Sequence, residues 1–380
     1  MNLFTIGLLY HLATIQRLLP KYGLSANVDA ADFTLTVRGR HRYYQFYPQF
    51  ICDDGGRPRY SPEPDERLRA FLGWRPYFNK RWPIAIDKRA FKAFCAQHGL
   101  RTPRMWLTPG ADMRDFLVKH SALSFGKGMH GPFRRHTPDH PGAEAEEGGF
   151  YEQFVPGRIV KAWYWEDRLA CVDIKEQPSV TGDGKRSLRA LIASVARPNV
   201  PKSEWSAYGE VLAWHGLTFD SVPREGERVV TDFRYGTYLE PMQVENQNAL
   251  GRLAGSPIGE QLSGFGPLLW KSIPEELRPA TVYAIDAIAD AEDRVWLLEM
   301  NCNPVCHPDT YEPMFETLFG APQAEALAPV PPESALPPYH ALPRLAPSMP
   351  IAEPPAPLDM PPAPLDTPPA PPRPTRRWLS

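Results

Sequence analysis

The chain has 380 residues, with 42 lysines and arginines against 44 aspartates and glutamates and a formal net charge of −2. That length holds two domains or one large one, and the near-neutral balance supplies no broad field for a nucleic-acid or membrane partner. No apolar run approaches a bilayer span, and the N-terminus lacks a basic region followed by a small-residue cleavage site. Cys52, Cys95, Cys171, Cys302 and Cys306 are odd in number and scattered, which suits a reducing compartment, so a soluble cytoplasmic protein is expected.

Leu3, Ile6, Leu8, Leu9, Leu12, Ile15, Leu18 and Leu19 recur with a helical period that ends at Pro20. Phe33 to Val37 alternates like a strand, and His41 to Tyr47 is a second, aromatic strand after a turn at Gly39. Cys52 to Pro64 reads as a loop and Glu66 to Leu72 as a short helix. In Pro83 to Gly99, Asp87 can cap a helix that runs to His98, with Phe91, Phe94 and Cys95 on its buried face and Gly99 ending it. Leu100 to Leu107 turns into a strand, and Phe116 to His120 is another, with Lys119 near its end. The Ser/Gly-rich stretch Ser121 to Gly131 follows; it is either a phosphate cradle, since glycine lets backbone N–H groups approach an anion, or a flexible hairpin. It lacks the terminal Gly-Lys-Ser/Thr of a Walker A loop.

An acidic connection, Ala143 to Gly149, leads to Phe150 to Val155, then Pro156-Gly157-Arg158, then two strands, Ile159 to Trp165 and Leu169 to Lys175. Gln177 to Ile192 is a turn opening a helix near Ser187, and Glu204 to His215 is a second helix. Thr218 to Arg224 reads as loop, Arg228 to Phe233 as strand, and Gly251 to Pro267 as glycine-rich and largely irregular. Thr281 to Ala289 and Arg294 to Met300 then form a β-hairpin around a polar turn. Asp286 sits mid-strand, and Glu299 and Asn301, two residues apart, face the same way. Hard cations such as Mg²⁺ take oxygen ligands, so this is either a metal site or an ordinary hairpin with an edge-exposed Asp. Beyond Gly320 proline takes over, and PPAPLDM, PPAPLDT and PPAPPRP form a degenerate repeat. Such a segment lacks the apolar surface to offset ordering entropy, so a disordered spacer is expected, with a protein partner for the prolines as the alternative.

Taken in order, these pieces resemble the ATP-grasp superfamily, over roughly Ile86 to Phe319. Asp87-Lys88 before its helix looks like the segment whose Lys reaches the ATP phosphates, and Lys119 like the second nucleotide Lys. Ser124, Gly126 and Gly128 resemble the glycine-rich phosphate cover. Glu152-Gln153-Phe154-Val155 is similar to the hinge that holds adenine. Asp286, Glu299 and Asn301 match the Mg²⁺ ligands. VTGDGKRSLRALI and the strand leading to Arg234 resemble the ATP-grasp part of cyanophycin synthetase and related carboxylate–amine ligases.

The resemblance implies an α+β fold of two subdomains closing on ATP (83–320), with an N-terminal α/β lobe (1–82) and a proline-rich tail (321–380). It implies ATP and one or two Mg²⁺ ions, or Mn²⁺, as cofactors, and a small-molecule or peptide carboxylate and an amine as substrates. The activity implied is a ligase: ATP phosphorylates the carboxylate, the amine attacks the acyl phosphate, and ADP and phosphate leave. Arg234 would stabilise the transferring phosphoryl group; Lys175 either faces the nucleotide or lies on a solvated face, and Arg158 caps the hinge surface, with a reach to the ribose as the alternative. A non-catalytic nucleotide-binding scaffold and a small-molecule kinase are the alternatives. The sequence departs from the relatives in lacking a Mur-type ligase domain after the grasp and a recognisable pattern in the first 80 residues. The long helix expected before the metal Asp is replaced by SIPEELRPATVYAID. Cys302, Cys306 and His307 read as packing cysteines beside a substrate-lining His rather than as zinc ligands.

Overall fold

A computed structural model of the chain describes residues 3–54, 57–110, 112–121, 129–136, 144–196, 200–235 and 248–322. The chain divides into two units, Met1–Ala328 and Pro329–Ser380, and every described residue belongs to the first. The proline repeat and Ser124, Gly126 and Gly128 therefore lie outside the described residues.

Helix α1 (Leu3–Lys21) is followed by β1 (Ser25–Val28), β2 (Leu35–Arg38), β3 (Tyr43–Asp54), β4 (Arg57–Ser61) and β5 (Leu68–Arg75). They form a five-stranded antiparallel sheet ordered β1-β2-β3-β4, with β5 also on β3. The lobe is thus antiparallel rather than α/β, and the helix expected over Glu66 to Leu72 is a strand. Pairing of Phe71 opposite Phe50 and of Ala70 opposite Ile51 outweighs the local helical preference of Leu, Arg and Ala. Phe46, Phe50, Phe71 and Trp74 pack with Ile15 and Leu18 of α1, but also with Trp165, Val282 and Phe315 from far along the chain. The core of the first lobe is shared with the rest of the unit.

Next come α2 (Lys88–Gln97), β6 (Met105–Trp106), β7 (Arg114–His120), β8 (His130–Arg135) and β9 (Gly149–Gln153). Asp87 caps α2 by accepting from the Arg89 amide at 2.8 Å. The four strands form a sheet in the order β6-β9-β7-β8. After β10 (Arg158–Trp165) and β11 (Arg168–Lys175), β12 (Ser179–Thr181), α3 (Leu188–Val195), α4 (Lys202–Trp214) and β13 (Arg228–Val230) make a small excursion. Its core is Val180, Leu188, Ile192, Tyr208, Leu212 and Val229.

The last elements are α5 (Leu250–Leu253), α6 (Pro257–Lys271), β14 (Val282–Ala289), β15 (Val295–Asn301) and α7 (Tyr311–Phe319). Residues expected to be irregular, 251–267, therefore contain most of a helix. Ser256 caps it by accepting from Gly259 N at 3.2 Å, and Pro257 fills its first position. Its glycines serve close packing: a Cβ on Gly259 would stand 2.1 Å from the Leu253 carbonyl oxygen, and one on Gly266 2.1 Å from that of Asp167. The stretch SIPEELRPATVYAID holds a single 3-10 turn, Glu275–Leu277, and the start of β14, with α6 ending immediately before it.

A second four-stranded sheet runs β11-β10-β14-β15. One face, including Ala162, Tyr164, Tyr283, Ile285 and Leu297, buries against Phe91 and Cys95 of α2 and Leu262 and Leu269 of α6. Tyr164 and Tyr283 stack there with centroids 5.1 Å apart and planes 4° apart, a pairing worth about 0.5–1.5 kcal/mol beyond burial. The fold is α+β. Among the described residues no helix is long and apolar enough to cross a membrane.

Candidate active site

The other face of that sheet carries the charges. Strand alternation puts Lys161 of β10 on it, and the register sets Lys161 opposite Asp286 of β14 and Asp286 opposite Glu299 of β15. Between Glu299 and Leu297 the β14–β15 ladder skips a residue, leaving Leu298 unmatched; such bulges re-aim side chains. Lys161 Nζ meets Asp286 Oδ1 at 2.7 Å, Asn301 Nδ2 donates to Asp286 Oδ2 at 3.2 Å, and Lys88 Nζ meets Glu299 Oε2 at 2.9 Å. Asp286 therefore lies within a charged cluster on an inner strand of the sheet, not at an exposed edge.

Burial alone would raise Asp286, but the charge of Lys161 and hydrogen bonds from Glu299, Lys161 and Asn301 hold its carboxyl below the usual range. Glu299 moves the other way, raised first by burial and then by the Asp286 charge, with Lys88 opposing. The two adjacent carboxylates are thus pushed in opposite directions by their surroundings. The donors Asp286, Glu299 and Asn301 offer hard oxygen atoms, the chemistry Mg²⁺ requires. Among the described residues no group of three or more His, Cys, Asp and Glu side chains is arranged for a metal. Two carboxylates and one amide leave coordination positions for phosphate oxygens and water, as Mg²⁺ sites usually do.

Helix α2 joins this cluster to a second one. Lys88 and Lys92 stand one turn apart on it, roughly 6 Å along its axis. Lys88 holds Glu299, while Lys92 Nζ meets Glu152 Oε2 of β9 at 2.5 Å. Lys119 of β7 takes the other oxygen of Glu152. The Glu152 side chain is 2% exposed and that of Lys92 3%. Burial would raise the Glu152 carboxyl, yet the charges and hydrogen bonds of Lys119 and Lys92 hold it below its ordinary value. Lys92 is shifted downward, by burial foremost. It also donates to Thr102 Oγ1 at 3.1 Å and the Pro103 carbonyl at 3.3 Å.

Beyond Glu152 the chain crosses between the sheets. Gln153 N donates to the Arg104 carbonyl at 2.8 Å and Phe154 N to that of Asp115 at 2.6 Å. The Phe154 ring packs on Trp214 and Phe233, with centroids 5.1 and 5.2 Å away. Val155 joins Ile159, Ile288, Trp296 and Leu298 in a separate apolar cluster. Ile159 and Ile288 are two residues from Lys161 and Asp286 on the same strands, so this apolar surface continues the charged face. Gly157 is required at the crossing, because a Cβ there would lie 2.4 Å from the Ala289 carbonyl oxygen.

Of the remaining expected site residues, Lys175 ends β11 with its Nζ 4.1 Å from the centroid of Tyr235, whose ring also lies 5.1 Å from Lys161 Nζ. This places Lys175 beside the charged face. Arg234 is engaged within its own excursion, by Asp232 at 2.8 Å and Glu204 at 2.6 Å. Arg158 pairs with Asp293 of the hairpin turn. Cys302 and Cys306 are buried thiols; Cys306 Sγ sits 3.0 Å from Thr310 Oγ1, and the His307 ring packs 5.1 Å from Trp163.

Sequence reasoning missed Lys92 and Lys161. The available signals were a lysine on the buried side of a capped amphipathic helix, and one at an alternating position of a strand otherwise hydrophobic.

No family model matches the sequence, and no curated protein matches it. Among solved structures the chain is similar to a bifunctional glutathione synthetase from Pasteurella multocida, at 14% identity and TM-score 0.38, covering 82% of this chain and 43% of that one. It is similar to a D-alanine–D-alanine ligase from Bacillus anthracis in complex with ATP, at 10% identity and TM-score 0.31, covering 62% and 66%. It is also similar to the ATP-grasp ligase PsnB, at 13% identity and TM-score 0.27, covering 57% and 52%. The chain thus spans less than two thirds of the length of each, and at these TM-scores the likenesses carry no argument about activity. The chain resembles ATP-grasp ligases, in the order of its motifs and among the solved structures it matches.

Proposed function

We propose that the chain is an ATP- and Mg²⁺-dependent ligase of the ATP-grasp type, joining a carboxylate to an amine through an acyl phosphate and releasing ADP and phosphate. The observation that carries this reading is helix α2, whose Lys88 and Lys92 reach Glu299 of one sheet and Glu152 of the other. Motif pieces almost 150 residues apart in sequence are thereby brought within one helical turn of each other.

In this reading the apolar surface of Val155, Ile159, Ile288 and Leu298 takes a purine ring, with the 152–155 crossing at its edge. Lys119, Lys88 and Lys161 neutralise the phosphates; Lys175 stands beside them. Asp286, Glu299 and Asn301 would hold Mg²⁺, or Mn²⁺, which when bound neutralises charge on the β- and γ-phosphates. Phosphoryl transfer to a carboxylate requires positioning and charge neutralisation rather than an enzymic nucleophile. The site's inventory fits that demand, being lysines and hard oxygen donors. Arg234 would stabilise the transferring phosphoryl group by exchanging Glu204 for it. Ser124, Gly126 and Gly128 retain their proposed role over the phosphates.

The test is ADP release from Mg-ATP with a panel of carboxylates, using hydroxylamine as the nucleophile so that any acyl phosphate is trapped as a hydroxamate. Wild type is expected to form hydroxamate with at least one member. Glu299→Ala is expected to abolish it with the far-ultraviolet spectrum unchanged. Full ADP release by that variant would sink the metal assignment, and phosphorylated product without hydroxamate would mark a kinase.

A further inference from the structure

The N-terminal sheet buries a guanidinium that the rest of the described chain leaves largely unanswered. Arg75, the last residue of β5, is 4% exposed. Among the described residues neither its Nε nor its Nη1 has a hydrogen-bond partner. Its Nη2 makes one long contact, 3.4 Å to the Phe78 carbonyl, and its Cζ lies 5.4 Å from the Tyr77 ring centroid. Arginine cannot shed its charge, and a buried N–H without an acceptor is costly. A second orphan accompanies it: Gln49 of β3, 5% exposed, donates from Nε2 to the Asn303 carbonyl at 3.3 Å while its Oε1 is unpartnered.

Both groups border the chain that leaves the metal hairpin. Cys306 N donates to the Leu72 carbonyl at 2.8 Å, and Tyr77 Oη donates to the carbonyls of Val282 at 2.6 Å and Cys302 at 3.3 Å. Gly73, at φ +102°, permits this approach, since a Cβ there would stand 2.7 Å from Cys306 Cβ. Asn301 immediately precedes Cys302. Gln49 on the Asn303 carbonyl and Gly73 against Cys306 thus set this end of the first sheet beside the chain just beyond Asn301. The carboxylates of Asp286 and Glu299 are engaged by Lys161 and Lys88, which leaves Arg75 for an anion from outside the described chain.

We propose that Arg75 anchors the carboxylate of the substrate, presented by the N-terminal lobe at the phosphoryl end of the site, with Gln49 Oε1 accepting an N–H group of the same molecule. This rests on the ligase reading and gives the first lobe its role. The class of ligand is a carboxylate with a nearby N–H, as in a free amino acid or a peptide C-terminus. A guanidinium fork matches the two oxygens of such a group.

Thermal unfolding of the full chain tests it, with L-alanine, dialanine and acetate as probes and sodium chloride and phosphate at matched ionic strength as controls. At least one carboxylate probe is expected to raise the wild-type midpoint by roughly 2–4 °C and to leave Arg75→Met unmoved. Alanine or dialanine acting where acetate does not would add Gln49 to the contact and show which source fits. Arg75→Met alone is expected to unfold no lower than wild type; should it fail to fold, Arg75→Lys keeps the charge without the fork and is expected to lose the probe's effect. The proposal is overturned if no carboxylate shifts wild type, if the shift survives in the variant, or if phosphate alone produces it. Mg-ATP is the separating arm, expected to stabilise both proteins alike. A carboxylate effect dependent on Arg75 with no response to Mg-ATP would leave the anchor standing and remove the ligase reading.

Discussion

Replacing Glu152 by Gln isolates the energetics of the buried lysine pair. Glu152 is the one carboxylate between two ammonium groups whose side chains are 3% and 12% exposed, Lys92 and Lys119. Gln keeps the shape and one acceptor oxygen but removes the charge, leaving two cations in a medium that disfavours even one. Removing one partner of a buried pair costs about 3–5 kcal/mol, a large part of a typical total of about 5–15 kcal/mol. A second route sets a ceiling. If Lys92 gave up its proton at pH 7 instead, the cost from an ordinary lysine value would be roughly 4–5 kcal/mol, so the variant is expected to lose about 3–4 kcal/mol. Urea unfolding followed by tryptophan fluorescence measures it. The sign with pH is a second check. Lys92 of the variant has a folded pKa below its unfolded one, so the penalty shrinks as pH rises from 7 towards 10. Wild type behaves oppositely at the acid end, because the depressed Glu152 pKa contributes stability above the ordinary carboxylate range that is lost as pH falls through the folded value. A loss below about 1 kcal/mol at pH 7, with no recovery at high pH, would refute the triad as drawn.

Two further outcomes follow from the same reasoning. Arg234→Met is expected to destabilise the protein by about 3–5 kcal/mol, because it strands Asp232, 1% exposed, beside Glu204; urea midpoints check this, and an unchanged midpoint would mean that the two carboxylates do not depend on it. Asp290 accepts from the Glu292 and Arg294 amides at 3.1 and 2.9 Å and from Trp296 Nε1 at 2.7 Å. Burial opposes its ionisation, but these bonds and the Arg294 side chain bring its pKa down to about 2. Its stabilisation of the hairpin turn is therefore complete above the ordinary Asp value near 4 and lost as pH falls towards about 2. Melting temperatures of wild type and Asp290→Asn are expected to converge over that interval, and parallel curves would contradict the assignment.

What the sequence reveals of this site depends on how far each residue's partner lies along the chain. The hairpin is legible because Asp286, Glu299 and Asn301 are polar residues inside two short apolar runs, and the period of two states which way they point. Asp87 is legible because a cap acts on its own next turn. Lys161 is not, since its partner Asp286 is 125 residues away, and one lysine in a strand is equally well a solvated one. Lys92 fails for the same reason, needing the fold to bring β9 against α2. The glycines of α6 mislead because composition suggests flexibility, whereas Gly259 and Gly266 serve contacts that only the packed neighbours define. Glu66 to Leu72 misleads because local preference is weak against a strand partner supplied by β3. Arg75 lies at the end of this scale. Among the described residues no acceptor meets its Nε or Nη1, so neither local pattern nor long-range pairing accounts for it, and its part in the site rests on the anchor proposed above.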